Sequence, residues 1–137
     1  MDHVVHFEIP ADNEDRAQAF YEKTFGWSIF KSPIPNWDYR LANTVETDEK
    51  GWPKSLGVIN GAIAPRKAPE DKPMVVIKVD LLEDALTRIT AGGGEITMQP
   101  TPVGEIGIYA KFKDTEGNIL GVWQDLKKPA DPSATAA

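Results

Sequence analysis

The 137-residue chain contains no cysteine. Disulfides, thiolate nucleophiles, cysteine zinc sites and cysteine-bound iron–sulfur clusters are therefore excluded, while the compartment is left open. Histidine is scarce, with His3 and His6 only. Positive charge is in deficit: 15 Lys and Arg against 21 Asp and Glu give a formal charge of -6. The lysines are scattered, which argues against a surface for nucleic acid or anionic membrane, where clustered cations must meet phosphates. No apolar run approaches the roughly 20 residues of a membrane helix, and Met1-Asp2-His3 lacks the basic-then-apolar start of a secretion signal. The expectation is a cytoplasmic protein. With 41% hydrophobic residues, a chain of this length fits one domain with a real core.

What is present is one unit used twice. Val4-Val5-His6-Phe7-Glu8-Ile9 and Met74-Val75-Val76-Ile77-Lys78-Val79 are short β-branched runs that read as strands. Each leads into an acidic helix start, an amphipathic helix, a glycine stop and further strands. In the first copy Asp12 or Asn13 caps a helix carrying Ala17, Phe20, Tyr21 and Thr24 at helical spacing, and Gly26 suits a left-handed C-cap. Strands follow at Trp27–Phe30, at Trp37–Leu41 with Trp37, Tyr39 and Leu41 on one face, and at Gly57–Ile63. In the second copy Asp80 caps a helix with Leu82, Ala85, Leu86 and Ile89 inward, stopped by Gly92-Gly93-Gly94. Strands are expected at Glu95–Gln99, with a turn over Pro100–Pro102, and then at Ile106–Lys113 and Ile119–Gln124 around the turn Asp114–Asn118. That turn lacks the alternating oxygen ligands of a calcium loop. The expected fold is α+β, two βαβββ modules forming a curled mixed sheet around a central cup. A single domain spans 1–126, with modules at about 1–63 and 73–126, a linker at 64–72 and a disordered tail at 127–137.

Period-two alternation puts Val5, Phe7 and Ile9 on a helix-covered face and His6 and Glu8 on the opposite one. With Trp37, Tyr39, Met74, Tyr109 and Trp123, they would line an aromatic cup of the kind that takes a small molecule. His6 is the one histidine placed for chemistry, and Glu8, on its face, could orient it, act as a base or pair with a lysine. Aromatics at alternating strand positions are more often core than ligand platforms, and Met74 is most simply packing. No nucleophile elbow or phosphate loop is present, because Gly92–Gly94 follows a helix instead of opening one.

The doubled order, His6 seven residues before Asn13, Arg16...Phe20-Tyr21...Phe25-Gly26-Trp27, and the closing Phe112-Lys113-Asp114-Thr115-Glu116-Gly117-Asn118...Trp123-Gln124 together resemble the vicinal oxygen chelate superfamily of glyoxalases, bleomycin-resistance proteins and extradiol dioxygenases. The likeness covers nearly all of Val4 to Gln124. In the metalloenzymes of that superfamily, one ligand comes from each of four strands. Carried over, these fall on His6, on Asn60 or Gly61, on Met74 and on Gly121, so most ligand positions are empty. The resemblance thus implies a glyoxalase-like, metal-independent small-molecule-binding protein with no metal ligands and no cofactor. Ligand contacts would be His6, Glu8, Trp37, Tyr39, Asn60, Met74, Tyr109 and Trp123, and a homodimer is implied. The alternative is a lyase, isomerase or dioxygenase acting on a small oxygenated substrate, with His6 and Glu8 as acid and base or as part of an unusual divalent-metal site. A third reading is a structural or regulatory domain that binds another protein through an exposed sheet edge or outer face.

Overall fold

The computed structural model describes residues 1–126; the tail expected at 127–137 lies outside them. Those residues form eight strands and two helices in α+β order. The chain divides into two compact units, His3–Ile77 and Lys78 onward together with Met1–Asp2.

In the first unit β1 is His3–Ala11, followed by helix α1 at Glu14–Phe25, β2 at Ser28–Lys31, β3 at Arg40–Asn43, β4 at Asn60–Pro65 and β5 from Met74. The strand order is β2-β3-β4-β1-β5. The sheet is mixed: β1 and β4 run parallel, and β3 is antiparallel to both β2 and β4. Asn13 supplies the N-cap, its Oδ1 accepting from Arg16 N–H at 3.0 Å, and Gly26 closes the helix at φ 74°. Ile29, Ala42, Ile63 and Ala11 form the core beneath α1, with Phe7, Ile9, Ala17, Tyr21 and Trp27 packed on it. Arg40 fastens the helix to β3 by reaching Asp15 at 2.8 Å, Gln18 at 2.8 Å and Glu14 at 3.6 Å. Phe7 and Ile9 therefore face α1, as alternation predicts, and His6 and Glu8 face away.

In the second unit Leu82–Ala91 forms α2, and β6 at Glu95–Val103, β7 at Gly107–Lys113 and β8 at Ile119–Asp125 make an antiparallel meander in the order β8-β7-β6. Leu82 is fully buried. The Gln124 side chain accepts from Leu82 N–H at 2.8 Å, which marks the α2-facing side of β8. The hairpin turn is held by Asp114, whose Oδ1 accepts from the Glu116 and Asn118 N–H groups, both at 2.8 Å. These bonds draw the Asp114 carboxyl below its usual pKa.

Four expectations are corrected. Trp37 and Tyr39 precede β3 and do not belong to it, because Pro33, Pro35 and the positive-φ Asn36 (64°) hold a turn in which Trp37 N–H meets Ile34 C=O. The strand expected from Gly57 starts at Asn60, since Gly57 sits in the left-handed region at φ 77°. Pro100–Pro102 does not turn: β6 runs through it with register shifts on either side of Met98. As the outermost strand of its meander, β6 has no neighbour to miss the proline N–H groups. The cap of α2 is Leu81, not Asp80, and no side chain bonds there; Gln124, 42 residues away, serves the first turn instead.

Candidate functional site

Register on the face of the first sheet turned away from α1 brings His6 beside Asn60, and Glu8 beside Ala62, whose partner on the far side is Leu41. Gly61, the other position considered for Asn60's role, lies on the opposite face. A Cβ there would overlap the Phe7 ring. Asn60 is thus the β4 residue that shares a face with His6.

Glu8 is 6% exposed and Asn60 7%, both unusually deep for polar side chains. Tyr39 reaches Glu8 from the turn before β3 and donates its hydroxyl to the carboxylate. Burial, first, and then the charge of Glu8 push the Tyr39 phenol well above its ordinary pKa, with Asp38 and Asp71 adding to the effect. Trp37 lies against Tyr39 with ring centroids 5.1 Å apart. His6 is half-buried, and desolvation lowers its pKa to about 4, so the imidazole is neutral at physiological pH. A neutral imidazole offers one N–H and one lone pair.

Asn60 is held by a residue that the sequence did not flag. Its Oδ1 accepts from Thr44 N–H at 2.8 Å and Val45 N–H at 3.3 Å, and it shares the single Thr44 hydroxyl proton, at 3.2 Å, with the nearer Ile59 C=O at 2.8 Å. Thr44 and Asn60 are 16 residues apart, and no local pattern announces the contact. Met74 opens β5, the strand next to β1 in the sheet order, and is half-buried. His6, Glu8, Tyr39 and Asn60 therefore gather on one face, with Trp37 stacked at its margin.

Tyr109 and Trp123 belong to the second unit. They are register partners with rings 6.5 Å apart, on the face turned away from α2. Tyr109 is buried, with the Lys111 ammonium 5.9 Å from its ring centroid. The Trp123 indole overlies Gly107 so closely that a Cβ there would overlap it. Its N–H donates to Asp125 at 2.7 Å, and Asp125 also pairs with Lys78 at 2.6 Å. Asp125 is a second residue missed by sequence reasoning.

Comparison with known proteins follows the same lines. The family model described as "Glyoxalase/Bleomycin resistance protein/Dioxygenase superfamily" matches residues 3–122. The Mycobacterium bovis protein named "Putative glyoxylase CFP32" is 27% identical over 126 residues, covering 85% of this chain and 43% of its own length. The chain thus spans less than half the length of the curated relatives it matches. Among solved structures, a methylmalonyl-CoA epimerase in complex with methylmalonyl-CoA and NH4+ superimposes with a TM-score of 0.67 at 11% identity, covering 94% of this chain and 99% of that one. Methylmalonyl-CoA epimerase from Mycobacterium tuberculosis gives 0.62 at 14%, covering 98% and 91%. At such identities the superpositions speak for the fold alone.

Proposed function

Since the chain belongs to the glyoxalase/bleomycin resistance protein/dioxygenase superfamily, we propose that it is a small-molecule-binding protein that works without a metal ion, its ligand lying on the His6–Glu8–Asn60 face of the first unit. One observation carries this reading. Two polar side chains, Glu8 and Asn60, are buried on the sheet face that α1 leaves uncovered, among the aromatic groups of Trp37 and Tyr39.

Metal independence is supported by the donor set. A divalent ion needs three or four nitrogen or oxygen ligands. His6 offers a ring nitrogen. The only metal-binding atom of Asn60, its Oδ1, already accepts from two backbone N–H groups and shares the Thr44 hydroxyl proton. Glu8 accepts from Tyr39, Met74 offers only a soft sulfur and Gly121 offers no side chain. Among the described residues no group of three or more His, Cys, Asp or Glu is arranged to hold a metal. A homodimer and a cytoplasmic location complete the proposal; no described helix is long and apolar enough to cross a membrane.

The test is elemental mass spectrometry on untagged protein, with thermal melts in divalent metal and in chelator, followed by a small-molecule melt screen and light scattering. The expected result is substoichiometric metal, no chelator effect and stabilisation by small molecules. Stoichiometric metal with a melt lowered by chelator would overturn metal independence, and a screen without stabilisation would overturn the binding reading.

A second reading, acid–base catalysis on a small oxygenated substrate as a lyase, isomerase or dioxygenase, is favoured by one feature. His6 is neutral and lies on the face of Glu8, so a proton acceptor is ready at pH 7. Turnover that survives both His6→Ala and Glu8→Ala would remove it.

A further inference from the structure

The carboxamide of Asn60 stands in one orientation. Two of the three donors to its Oδ1 are backbone N–H groups, from Thr44 and Val45. Turning the amide over would set its NH2 against them, so the chemistry of its neighbours fixes which end is which. The Nδ2 end is left buried, and among the described residues it meets no acceptor. Holding the Thr44–Val45 segment uses only the oxygen. The nitrogen is a surplus donor, in a place where an unmet N–H is costly and calls for an explanation.

Its surroundings restrict what it can receive. His6 is its register partner on the same face, and Glu8 follows two residues along β1. The charged groups that act on Tyr39, at the edge of the cluster, are the carboxylates Glu8, Asp38 and Asp71. A full negative charge brought here would be repelled, whereas a neutral oxygen with free lone pairs would not.

We propose that Asn60 Nδ2, with the His6 imidazole beside it, forms the recognition point for one neutral carbonyl oxygen of the ligand (aldehyde, ketone, ester, thioester or amide) in preference to a carboxylate or a cation. The proposal rests on the small-molecule reading above and deepens it. Asn60 donates one N–H to the carbonyl oxygen, and the His6 N–H is available as a second donor. The amide is pre-set by Thr44, so no rotamer has to be ordered on binding.

The test uses a near-isosteric pair, benzamide and benzoate, together with Mn2+, against the 15N-labelled full chain. The Asn60 side-chain NH2 signals are identified by their loss in Asn60→Asp, which keeps an oxygen for Thr44 and Val45. Benzamide at millimolar concentration is expected to shift those signals saturably, benzoate at least tenfold more weakly, and equimolar Mn2+ to leave them sharp. Asn60→Asp should weaken benzamide at least tenfold while the Thr44 and Val45 amide signals stay in place. If benzamide moves the signals around His6 and Tyr39 but not the Asn60 NH2, or binds Asn60→Asp equally well, the recognition point is wrong and the binding face stands. If neither organic probe perturbs this face, both fall. Broadening of His6 and Asn60 by Mn2+, or benzoate binding as strongly as benzamide, also overturns the proposal.

Discussion

Phe7 lies over Gly61, its register partner on the adjacent parallel strand, in the space that any larger residue's Cβ would fill. The ring continues into Trp27 at 5.5 Å and, through it, to Tyr21 at 4.8 Å, so one glycine seats the aromatic layer between the sheet and α1. Gly61→Ala is expected to push this layer outward at a cost of about 1–3 kcal/mol, the usual range for overpacking a filled core. Urea denaturation with matched m-values measures it.

His6 makes the stability depend on acid. Its folded-state pKa is about 4, below the unfolded value of 6.5, so between these values the unfolded chain binds the proton more readily than the folded one. Stability should therefore fall as the pH drops from 6.5 towards 4, and the contribution should vanish above 6.5. Melting temperatures of wild type and His6→Gln at pH 7 and pH 5 check this. The variant should lose less on acidification.

Tyr39→Phe removes the hydroxyl that Glu8 accepts from. A hydrogen bond to a charged group contributes about 1.5–3 kcal/mol, and a loss in that range is expected in chemical denaturation. The wild-type phenol, its pKa raised by burial and by Glu8, should stay protonated above pH 10, where free tyrosine ionises. Because the unfolded chain releases that proton first, the native state should weaken as the pH climbs past 10. The difference in absorbance near 295 nm between wild type and Tyr39→Phe should show a late titration.

Asn13→Ala deletes the N-cap of α1 and leaves the Arg16 N–H without its side-chain acceptor. The expected loss is about 1 kcal/mol, with Asn13→Asp close to neutral or better, since a negative charge suits that end of the helix. Thermal denaturation of both variants distinguishes the two effects.

The parts of the fold that could be read in advance are those written in short-range chemistry. Asn13, Gly26 and Asp114 act on neighbours within four residues, and the His6/Phe7 alternation divides one strand between two faces. Where the expectation failed, a distant partner or a turn had overruled local pattern. Trp37 and Tyr39 alternate like strand residues, yet the Pro-rich turn keeps them outside β3 and delivers Tyr39 to Glu8 from the side. Gln124 replaces the cap that Asp80 would have supplied. In the candidate site, the sequence showed His6 and Glu8 only as a pair on one strand face, the one opposite α1. The choice between Asn60 and Gly61 needed the β1–β4 register, and the hold of Thr44 on Asn60 needed the pairing of β3 with β4.

Strand β6 is nine residues long and lies at the rim of its meander, a place where exposed backbone ordinarily invites another chain to add a strand. Pro100 and Pro102 withhold two of the N–H groups such an intruder would need, and the register shifts around Met98 break the even spacing of the rest. The same prolines that suggested a turn in the sequence thus make this rim a poor template for cross-β growth. A second copy of the chain approaching here would have to be recognised by side chains.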